Sequence, residues 1–361
     1  MASPSAHSFP FATPDALEAL RDAYERDGFV IVDGIFTSAE ELDALRTAAA
    51  DVVQLTRKGG WPHRRVVGKQ FPPFDEVTQD YWGVQHLMSP ALPHSRLFTS
   101  FYASRVLDVS SALLGVPLSQ MQLELFNLLI NPTQHAFALG WHRDDIKPSI
   151  STEEERRVLV ADQARAGAAK DGGGIQWNAA LYDDACLFVV PGTHRRVRTE
   201  QERKANATPP PPPTPIPKGK ELSTQEKEAL DGAWELDPPT TQRVVLRAGQ
   251  TAFYSQRILH RASYLPNQIR ATLHGCYGES GNETPSSSSA SSTDTAPNDA
   301  HPTDTSVGEQ RARNVLQHGV EWMKDPQFGA ALPERLRPMW DNLLRMERQW
   351  AGKNLGYSLD N

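Results

Sequence analysis

Cysteine is scarce in this sequence, which contains two, Cys186 and Cys276, among 361 residues. Both lie in apolar stretches, where an unpaired thiol is commonly buried. Two cysteines are too few for a disulfide framework, and they are typical of a protein from a reducing compartment.

Long apolar runs and basic patches are also missing. No apolar segment reaches the roughly 18 residues that a membrane-spanning helix needs, and residues 1–7 have neither the basic nor the apolar part of a secretory signal. Acidic residues outnumber basic ones by 44 to 37, and no basic stripe is visible, which argues against a nucleic-acid partner. We therefore expect a soluble, cytoplasmic protein that binds a small molecule and neither nucleic acid nor membrane.

The first third of the chain has the patterns of helices around one strand. Apolar residues at three- and four-residue spacing, caps at Thr13 and Thr37, and a β-branched run after Gly28 give the boundaries. A stretch rich in Trp, Pro and Gly lacks any period and predicts an irregular loop. The expected elements are a helix over 13–27, a strand over 29–36, a helix over 37–55, the loop over 56–93 and a helix over 99–114.

Short strands dominate the middle of the chain. One charged helix over 151–170 interrupts them, and two amphipathic helices over about 309–324 and 334–350 close the chain. Because the strands do not alternate with helices in a βαβ pattern, an antiparallel β core is favoured. The predicted strands are 121–131, one around 139–144, 175–181, 186–190, 244–246, 251–254 and 271–277.

These patterns predict one domain over residues 1–361. Its β core would span about 118–278, with helical and strand support over 13–117 and C-terminal helices over 309–350. A proline run within 203–220 and a tract of Ser, Thr, Pro and Asp over 279–307 are expected to be extended or disordered inserts, because such compositions bury little apolar surface.

The pair His142 and Asp144 is the first candidate for chemistry. Side chains two apart in a strand share a face, so an imidazole and a carboxylate converge there while Arg143 points away. The pair alone is a weak motif. His260 is the best candidate for a third ligand, because Arg270 follows it at the head of a strand-like run.

Two histidines and one carboxylate on one face of an octahedral ion leave three positions open. Non-haem Fe(II) oxygenases use this arrangement to hold a co-substrate and O2. A fixed guanidinium such as that of Arg270 binds the far carboxylate of a 2-oxo diacid in bidentate fashion. The sequence therefore predicts an Fe(II)- and 2-oxoglutarate-dependent oxygenase. Such a site suggests an all-β core with flanking helices, folded as a cupin-like double-stranded β-helix, or jelly roll.

These residues resemble the phytanoyl-CoA dioxygenase family of 2-oxoglutarate oxygenases. The resemblance implies that His142, Asp144 and His260 ligate the iron and that Arg270 anchors the distal carboxylate of 2-oxoglutarate, with Trp177 and Leu128 lining the co-substrate pocket. It also implies release of succinate and CO2, and the carboxylate at position 144 points to hydroxylation or desaturation. The motifs that carry the resemblance are Leu129-Ile130-Asn131-Pro132, Trp141-His142-Arg143-Asp144, the run from Trp177 to His194, and His260 with Arg270.

Some points depart from the family or stay open. A lysine that the phytanoyl-CoA member uses for 2-oxoglutarate aligns near Trp82 and Gly83, so that contact is missing or replaced, and a fatty acyl-CoA substrate is not favoured. His194 follows a Pro-Gly turn and is a rival third ligand, although a turn histidine bonded to its own backbone is the preferred interpretation. The alternative functions are a non-catalytic cupin-like binding or scaffold protein and a zinc hydrolase on the same ligands.

Overall fold

The computed structural model describes residues 8–10, 14–68, 80–163, 172–280, 307–316, 318–353 and 355. Within these ranges the chain forms two β-sheets with helices around them. The strands are β1 (Ser8–Pro10), β2 (Phe29–Asp33), β3 (Arg64–Val66), β4 (Tyr81–Val84), β5 (Met121–Ile130), β6 (His135–His142), β7 (Gly174–Ala180), β8 (Leu187–Val190), β9 (Thr214–Pro215), β10 (Gln242–Arg243), β11 (Thr251–Ser255), β12 (Leu259–Tyr264) and β13 (Ala271–Glu279).

The α-helices lie before, between and after the strands. Several begin at a side-chain cap: Ser38 accepts from the N–H of Glu41, and Thr199 and Ser223 each form a capping box. The α-helices are α1 (Pro14–Asp27), α2 (Ala39–Arg57), α3 (Ser95–Tyr102), α4 (Arg105–Leu114), α5 (Thr152–Gln163), α6 (Glu200–Ala207), α7 (Thr224–Asp231), α8 (Val307–Leu316), α9 (Pro326–Ala331) and α10 (Arg337–Trp350).

The larger sheet has the strand order β1-β2-β11-β7-β13-β5-β4-β3, and the smaller has the order β10-β8-β12-β6-β9. Every pairing between described strands is antiparallel, except that β1 runs parallel to β2. The expectation of an antiparallel core is confirmed at this level: two antiparallel sheets with flanking helices.

The two sheets face each other across a shared apolar layer. One cluster joins Ile31 and Tyr254 of the larger sheet to Val189 of the smaller, and another joins Leu129 to Tyr264 in the same way. Alternation along each strand therefore leaves one face of each sheet toward the other sheet and the opposite face outward.

The outward face of the larger sheet is covered by helices, so the core is not exclusively β. Buried side chains of α2, α3, α4 and α10 pack with residues of β5, β7 and β13 in the largest apolar cluster; among them are Leu45, Val52, Phe98, Val106, Leu343, Phe126, Trp177 and Leu273. At roughly 25 cal/mol per Å² of apolar area, burial on this face is a main contribution to stability.

Several boundaries differ from the sequence-based expectations. The helix expected over 99–114 is split between α3 and α4 by a break at Ala103 and Ser104, and the expected loop over 56–93 contains β3 and β4. The insert expected over 203–220 contains the end of α6 and all of β9, which pairs with β6. Most of the expected disordered tract over 279–307 lies outside the described residues.

None of the helices within the described ranges combines the length and the apolar character that crossing a bilayer requires.

Candidate active site

His142, Asp144 and His260 come together between the two sheets. In the pairing of β6 with β12, His260 lies directly opposite His142, and their ring centroids are 4.2 Å apart. Asp144 follows the end of β6, and its carboxylate oxygens lie 3.6 Å from His142 Nε2 and 3.8 Å from His260 Nε2. One ligand atom from each residue lies within 4.8 Å of the others, which is the spacing that one bound metal ion needs.

Both imidazoles are turned so that Nε2 faces the carboxylate. The Nδ1 of His142 is 2.7 Å from the carbonyl oxygen of Gly140, and the Nδ1 of His260 is 2.9 Å from that of Ile258. A carbonyl only accepts, so each Nδ1 carries a proton, and the lone pair of the neutral ring is then on Nε2. Burial and the neighbouring His142 lower the pKa of His260 to about 4, which keeps this ring neutral at neutral pH.

The carboxylate of Asp144 is held by a chain of hydrogen bonds. The side-chain amide of Gln176 donates to its Oδ2, and the hydroxyl of Tyr254 donates to Gln176 Oε1 over 3.2 Å. The N–H of Asp144 donates to the carbonyl oxygen of Gln256 at 3.1 Å. Sequence reasoning missed Gln176, although a polar residue inside an apolar strand was a usable signal.

Arg143, between His142 and Asp144, points the other way and anchors this segment. Its Nη1 lies 2.7 Å from Glu155 of α5, and its Nη2 donates to the carbonyl oxygens of Thr193 and Arg196. Burial lowers the pKa of Arg143 to about 10 against the opposing charge of Glu155, so the guanidinium stays protonated at neutral pH. The backbone between His142 and Asp144 is thereby fixed from its far side.

Arg270 is buried with one edge paired and one nitrogen open. Its Nε donates to Asp184 Oδ2 at 2.8 Å, and the hydroxyl of Thr272 donates to the same oxygen. The guanidinium carbon lies 4.8 Å from the ring centre of Tyr264. Burial opposes its charge, but Asp184 raises the pKa of Arg270 above its usual value. Its Nη1 is buried and has no hydrogen-bond partner among the described residues. Buried polar groups are normally hydrogen-bonded, so this nitrogen fits a carboxylate supplied by a ligand.

Strand register relates Arg270 to the three ligands. His274 of β13 pairs with Asn178 of β7, which is two positions after Gln176 on the same strand. Arg270 comes immediately before the first residue of β13. Cross-strand partners share a face, so the side chain of His274 lies between Gln176, which holds Asp144, and Arg270. One face of the larger sheet therefore has a polar end, near the candidate metal ligands, and a cationic end at Arg270.

The donor set fits a ferrous ion. Two neutral imidazoles and one carboxylate are borderline and hard donors that suit Fe(II) and leave further coordination positions, and the open Nη1 of Arg270 fits a second carboxylate of a bound diacid.

The family model of phytanoyl-CoA dioxygenase (PhyH) matches residues 24–268, which is more than half of the chain. The chain belongs to this family. It is accordingly a non-haem iron oxygenase that depends on 2-oxoglutarate and O2. The resemblance stated from the sequence is confirmed.

Solved structures give further similarities at low identity. AviO1 from Streptomyces viridochromogenes Tue57 is 17% identical with a TM-score of 0.45, over 74% of this chain and 96% of that chain. The non-heme alpha ketoglutarate dependent epimerase SnoN from nogalamycin biosynthesis is 19% identical with a TM-score of 0.44, over 74% and 82%. EctD from S. alaskensis with bound Fe is 18% identical with a TM-score of 0.41, over 78% and 83%. A search of curated proteins gives no match.

Trp177 and Leu128, expected to line the co-substrate pocket, lie on the opposite face of the larger sheet. Trp177 is fully buried and packs against Phe101 and Phe126, and Leu128 belongs to the same cluster under the helices. The side chain that enters the site from this part of β7 is Gln176, next to Trp177. The expected pocket role of Trp177 and Leu128 therefore does not fit their orientation.

His194, the rival third ligand, and a further histidine of β13, His274, lie outside the candidate ligand set. His194 is buried in a short 3-10 helix and packs against Gly28, where a Cβ would approach its Nδ1 to 2.5 Å. His274 has its Nδ1 2.8 Å from Asn178 Oδ1. Burial, with the charge of Arg65 next, lowers the pKa of His274 to about 3, so this ring is a neutral hydrogen-bonding group at the site.

Proposed function

We propose that His142, Asp144 and His260 bind one Fe(II) ion and that Arg270 binds the distal carboxylate of 2-oxoglutarate, in an enzyme that hydroxylates or desaturates a small organic molecule. The observation that carries the proposal is the convergence of three ligand atoms within 4.8 Å, with both imidazole Nε2 atoms turned to the carboxylate. When bound, iron and 2-oxoglutarate together would supply O2 activation, with succinate and CO2 as co-products.

The protein's own groups orient and separate the reactants. The Nδ1 contacts of His142 and His260 hold both rings with Nε2 toward Asp144, and the side-chain amide of Gln176 holds the carboxylate of Asp144. The side chain of His260 is 8% exposed whereas those of His142 and Asp144 are 35% and 30% exposed. A substrate would therefore approach on the side of His142 and Asp144.

Asp184 keeps the charge at the cationic end in balance. Arg270 and Asp184 form a buried ion pair, so the guanidinium that would bind the co-substrate is not an isolated buried charge. Thr272 and the N–H of Cys186 hold Asp184 on its other sides. This arrangement orients Nη1 of Arg270 before the diacid binds, so less side-chain entropy would be lost on binding.

We also propose that the two facing sheets form a double-stranded β-helix, or jelly roll, within a single domain over residues 1–361. Support comes from the facing antiparallel sheets and from the contacts that α8 and α10 make with strands of the larger sheet. A small-molecule substrate and a cytoplasmic location stay predictions from the sequence.

Succinate release tests the proposed function. Metal-free protein supplied with Fe(II), ascorbate, 2-oxoglutarate and air should release succinate slowly even without the true substrate, and removal of O2 should stop it. A scaffold protein would release none, and a zinc hydrolase would need no O2. Absence of both succinate release and anaerobic 2-oxoglutarate binding in the Fe(II)-loaded chain would overturn the proposal.

A further inference from the structure

Arg65 lies on the same sheet face as the candidate active site. It pairs with Gly83 across β3 and β4, Gly83 pairs with Leu129, and Leu129 pairs with Thr272. Because cross-strand partners share a face, the side chain of Arg65 points to the side where Thr272 contacts Asp184. A Cβ at Gly83 would lie 3.2 to 3.3 Å from Cβ, Cγ and Cδ of Arg65, so the missing side chain of Gly83 lets the arginine stem lie across the sheet.

Arg65 has no carboxylate partner among the described residues. Its Nε is buried without a hydrogen-bond partner, and its guanidinium carbon lies 5.1 Å from the ring centre of Trp82. Other arginines in the interior each contact a carboxylate: Arg143 with Glu155, Arg257 with Asp145, Arg261 with Asp237, Arg270 with Asp184, and Arg311 with Glu124. Arg65 departs from this rule, although desolvating an unpaired charge is unfavourable.

The groups around Arg65 do not balance its charge. Burial first, and then the charge of Arg65 among others, lower the pKa of three histidines, His86, His274 and His318. Among the groups that act most on Arg65 itself is the carboxylate of Asp144, which the proposed function assigns to the metal. The half-buried guanidinium of Arg65 therefore has neutral imidazoles around it and one carboxylate that the metal would occupy. An anionic group of a ligand would pair with this guanidinium.

Arg65 and Arg270, the proposed anchor of the co-substrate, start from different strands. Arg270 precedes β13, whereas Arg65 is on β3, which lies beyond β5 and β4 at the edge of the larger sheet. At about 4.8 Å between neighbouring strands, three strand spacings put roughly 14 Å between the two backbones. Both side chains extend toward Tyr264: the guanidinium of Arg270 lies 4.8 Å from its ring centre, and that of Arg65 lies against Trp82, whose ring is 5.3 Å from that of Tyr264. Each guanidinium has its own unpaired nitrogen.

We propose that Arg65 binds a carboxylate of the primary substrate, so that the enzyme acts on an organic acid held between Arg65 and the metal site. This inference rests on the proposed function, because the reacting carbon would lie next to the metal bound by His142, Asp144 and His260. The guanidinium would hold the carboxylate in bidentate fashion and fix which carbon faces the metal.

Calorimetry on catalytically silent protein tests the inference. The chain is loaded with Zn(II), which has no redox chemistry, and saturated with 2-oxoglutarate, whose own binding is recorded first. Acetate, butyrate and phenylacetate are then each titrated against the matching amide. We expect the wild-type chain to bind at least one acid about 10-fold or more tightly than its amide, which corresponds to about 1.4 kcal/mol.

The variants decide the role of Arg65. Arg65→Gln should abolish the preference for acid over amide and leave the 2-oxoglutarate affinity unchanged, while Arg65→Lys should keep part of the preference. Arg64→Gln is the matched control, because the adjacent arginine points to the other face of β3, and it should behave as wild type. Thermal unfolding of each loaded variant confirms that it is folded.

Three results would overturn the inference. Equal binding of acids and amides by the wild-type chain would show that no anion site faces the pocket. A preference that survives in Arg65→Gln would assign the anion to another group, and a loss of 2-oxoglutarate affinity in that variant would place Arg65 in the co-substrate's site. A wild-type chain that fails to bind 2-oxoglutarate at the first step would instead contradict the proposed function, and this inference with it.

Discussion

His142 and His260 are direct cross-strand neighbours, with ring centroids 4.2 Å apart. The antiparallel pairing of β6 with β12 thus brings two distant parts of the chain to one point, and Asp144 follows at the end of β6. Because side chains alternate along a strand, a slip of one residue in this pairing would turn one imidazole to the outer face of the smaller sheet. The register of these two strands is therefore a condition for the metal site.

Removing one imidazole should remove the metal. In His260→Ala the metal would keep two of its three protein ligands. Loss of a residue that only supports a ligand already costs about 10- to 100-fold in metal affinity, so loss of a ligand should lower the Fe(II) affinity by more than about 100-fold. Metal content after dialysis and anaerobic Fe(II) titration measure this. His94→Ala is the control, because His94 is an exposed histidine paired with Asp51; equal metal loss in both variants would refute the ligand assignment.

Arg270→Gln should weaken 2-oxoglutarate binding by about 30-fold or more, because the carboxylate loses charge-assisted bonds worth about 2 kcal/mol. The substitution also leaves Asp184 buried without its partner, so the double variant with Asp184→Asn separates lost binding from lost stability. Anaerobic calorimetry gives the affinity. Arg247→Gln is the control, since that arginine is 77% exposed; unchanged affinity in both Arg270 variants would exclude the assigned anchor.

The candidate ligand set could be proposed from the sequence because the information that it needs is local and chemical. His142 and Asp144 are two apart, and His260 with Arg270 recurs at the family's spacing. The antiparallel core was predictable for the same reason, since apolar period and turn residues mark β5, β7, β11 and β13. The motif gives the residue types of the candidate ligands and their order along the chain, and the structure shows which strands pair to bring them together.

The features that the sequence missed depend on contacts between distant segments. β3 and β4 have the composition of a loop, and they form strands because β4 pairs with β5 and β3 pairs with β4, as tertiary context often overrides local preference. Trp177 was assigned to the pocket from its position in the family motif, yet position does not say which face of β7 a side chain occupies. Asp184 lies in a short connection and has no signal until Arg270 is placed beside it.

Protonation of His86 should destabilise the fold as the pH falls. Burial first, then the nearby ionisable groups His63, His318 and Arg65, lower the pKa of His86 to about 3. Between about pH 6.5 and 3 the unfolded chain therefore binds a proton that the folded chain does not. Stability contributed by the neutral ring is present above this window and is lost as the pH drops through it.

This pH effect is measurable with one substitution. At about 1.4 kcal/mol per pH unit, His86 should account for about 2 kcal/mol of the stability lost between pH 7 and 5. His86→Asn tests it, because residue 86 has a φ of 63° and asparagine tolerates the left-handed region. Denaturant unfolding at both pH values should show a smaller loss in the variant, and an equal loss would show that other groups carry the acid sensitivity.

Glu155 holds Arg143, the residue between His142 and Asp144, through a buried ion pair. Its buried carboxylate pairs with Arg143, Arg198 and Arg203, so Glu155→Gln leaves buried positive charge uncompensated and should cost about 3 to 5 kcal/mol in unfolding free energy. Glu153→Gln, on the same helix but with exposed pairs to Arg156 and Arg157, should cost less than about 1 kcal/mol. Urea unfolding compares the two. Similar costs would mean that the arginine cluster is held by its backbone contacts, and Arg143 would then fix the ligand segment without Glu155.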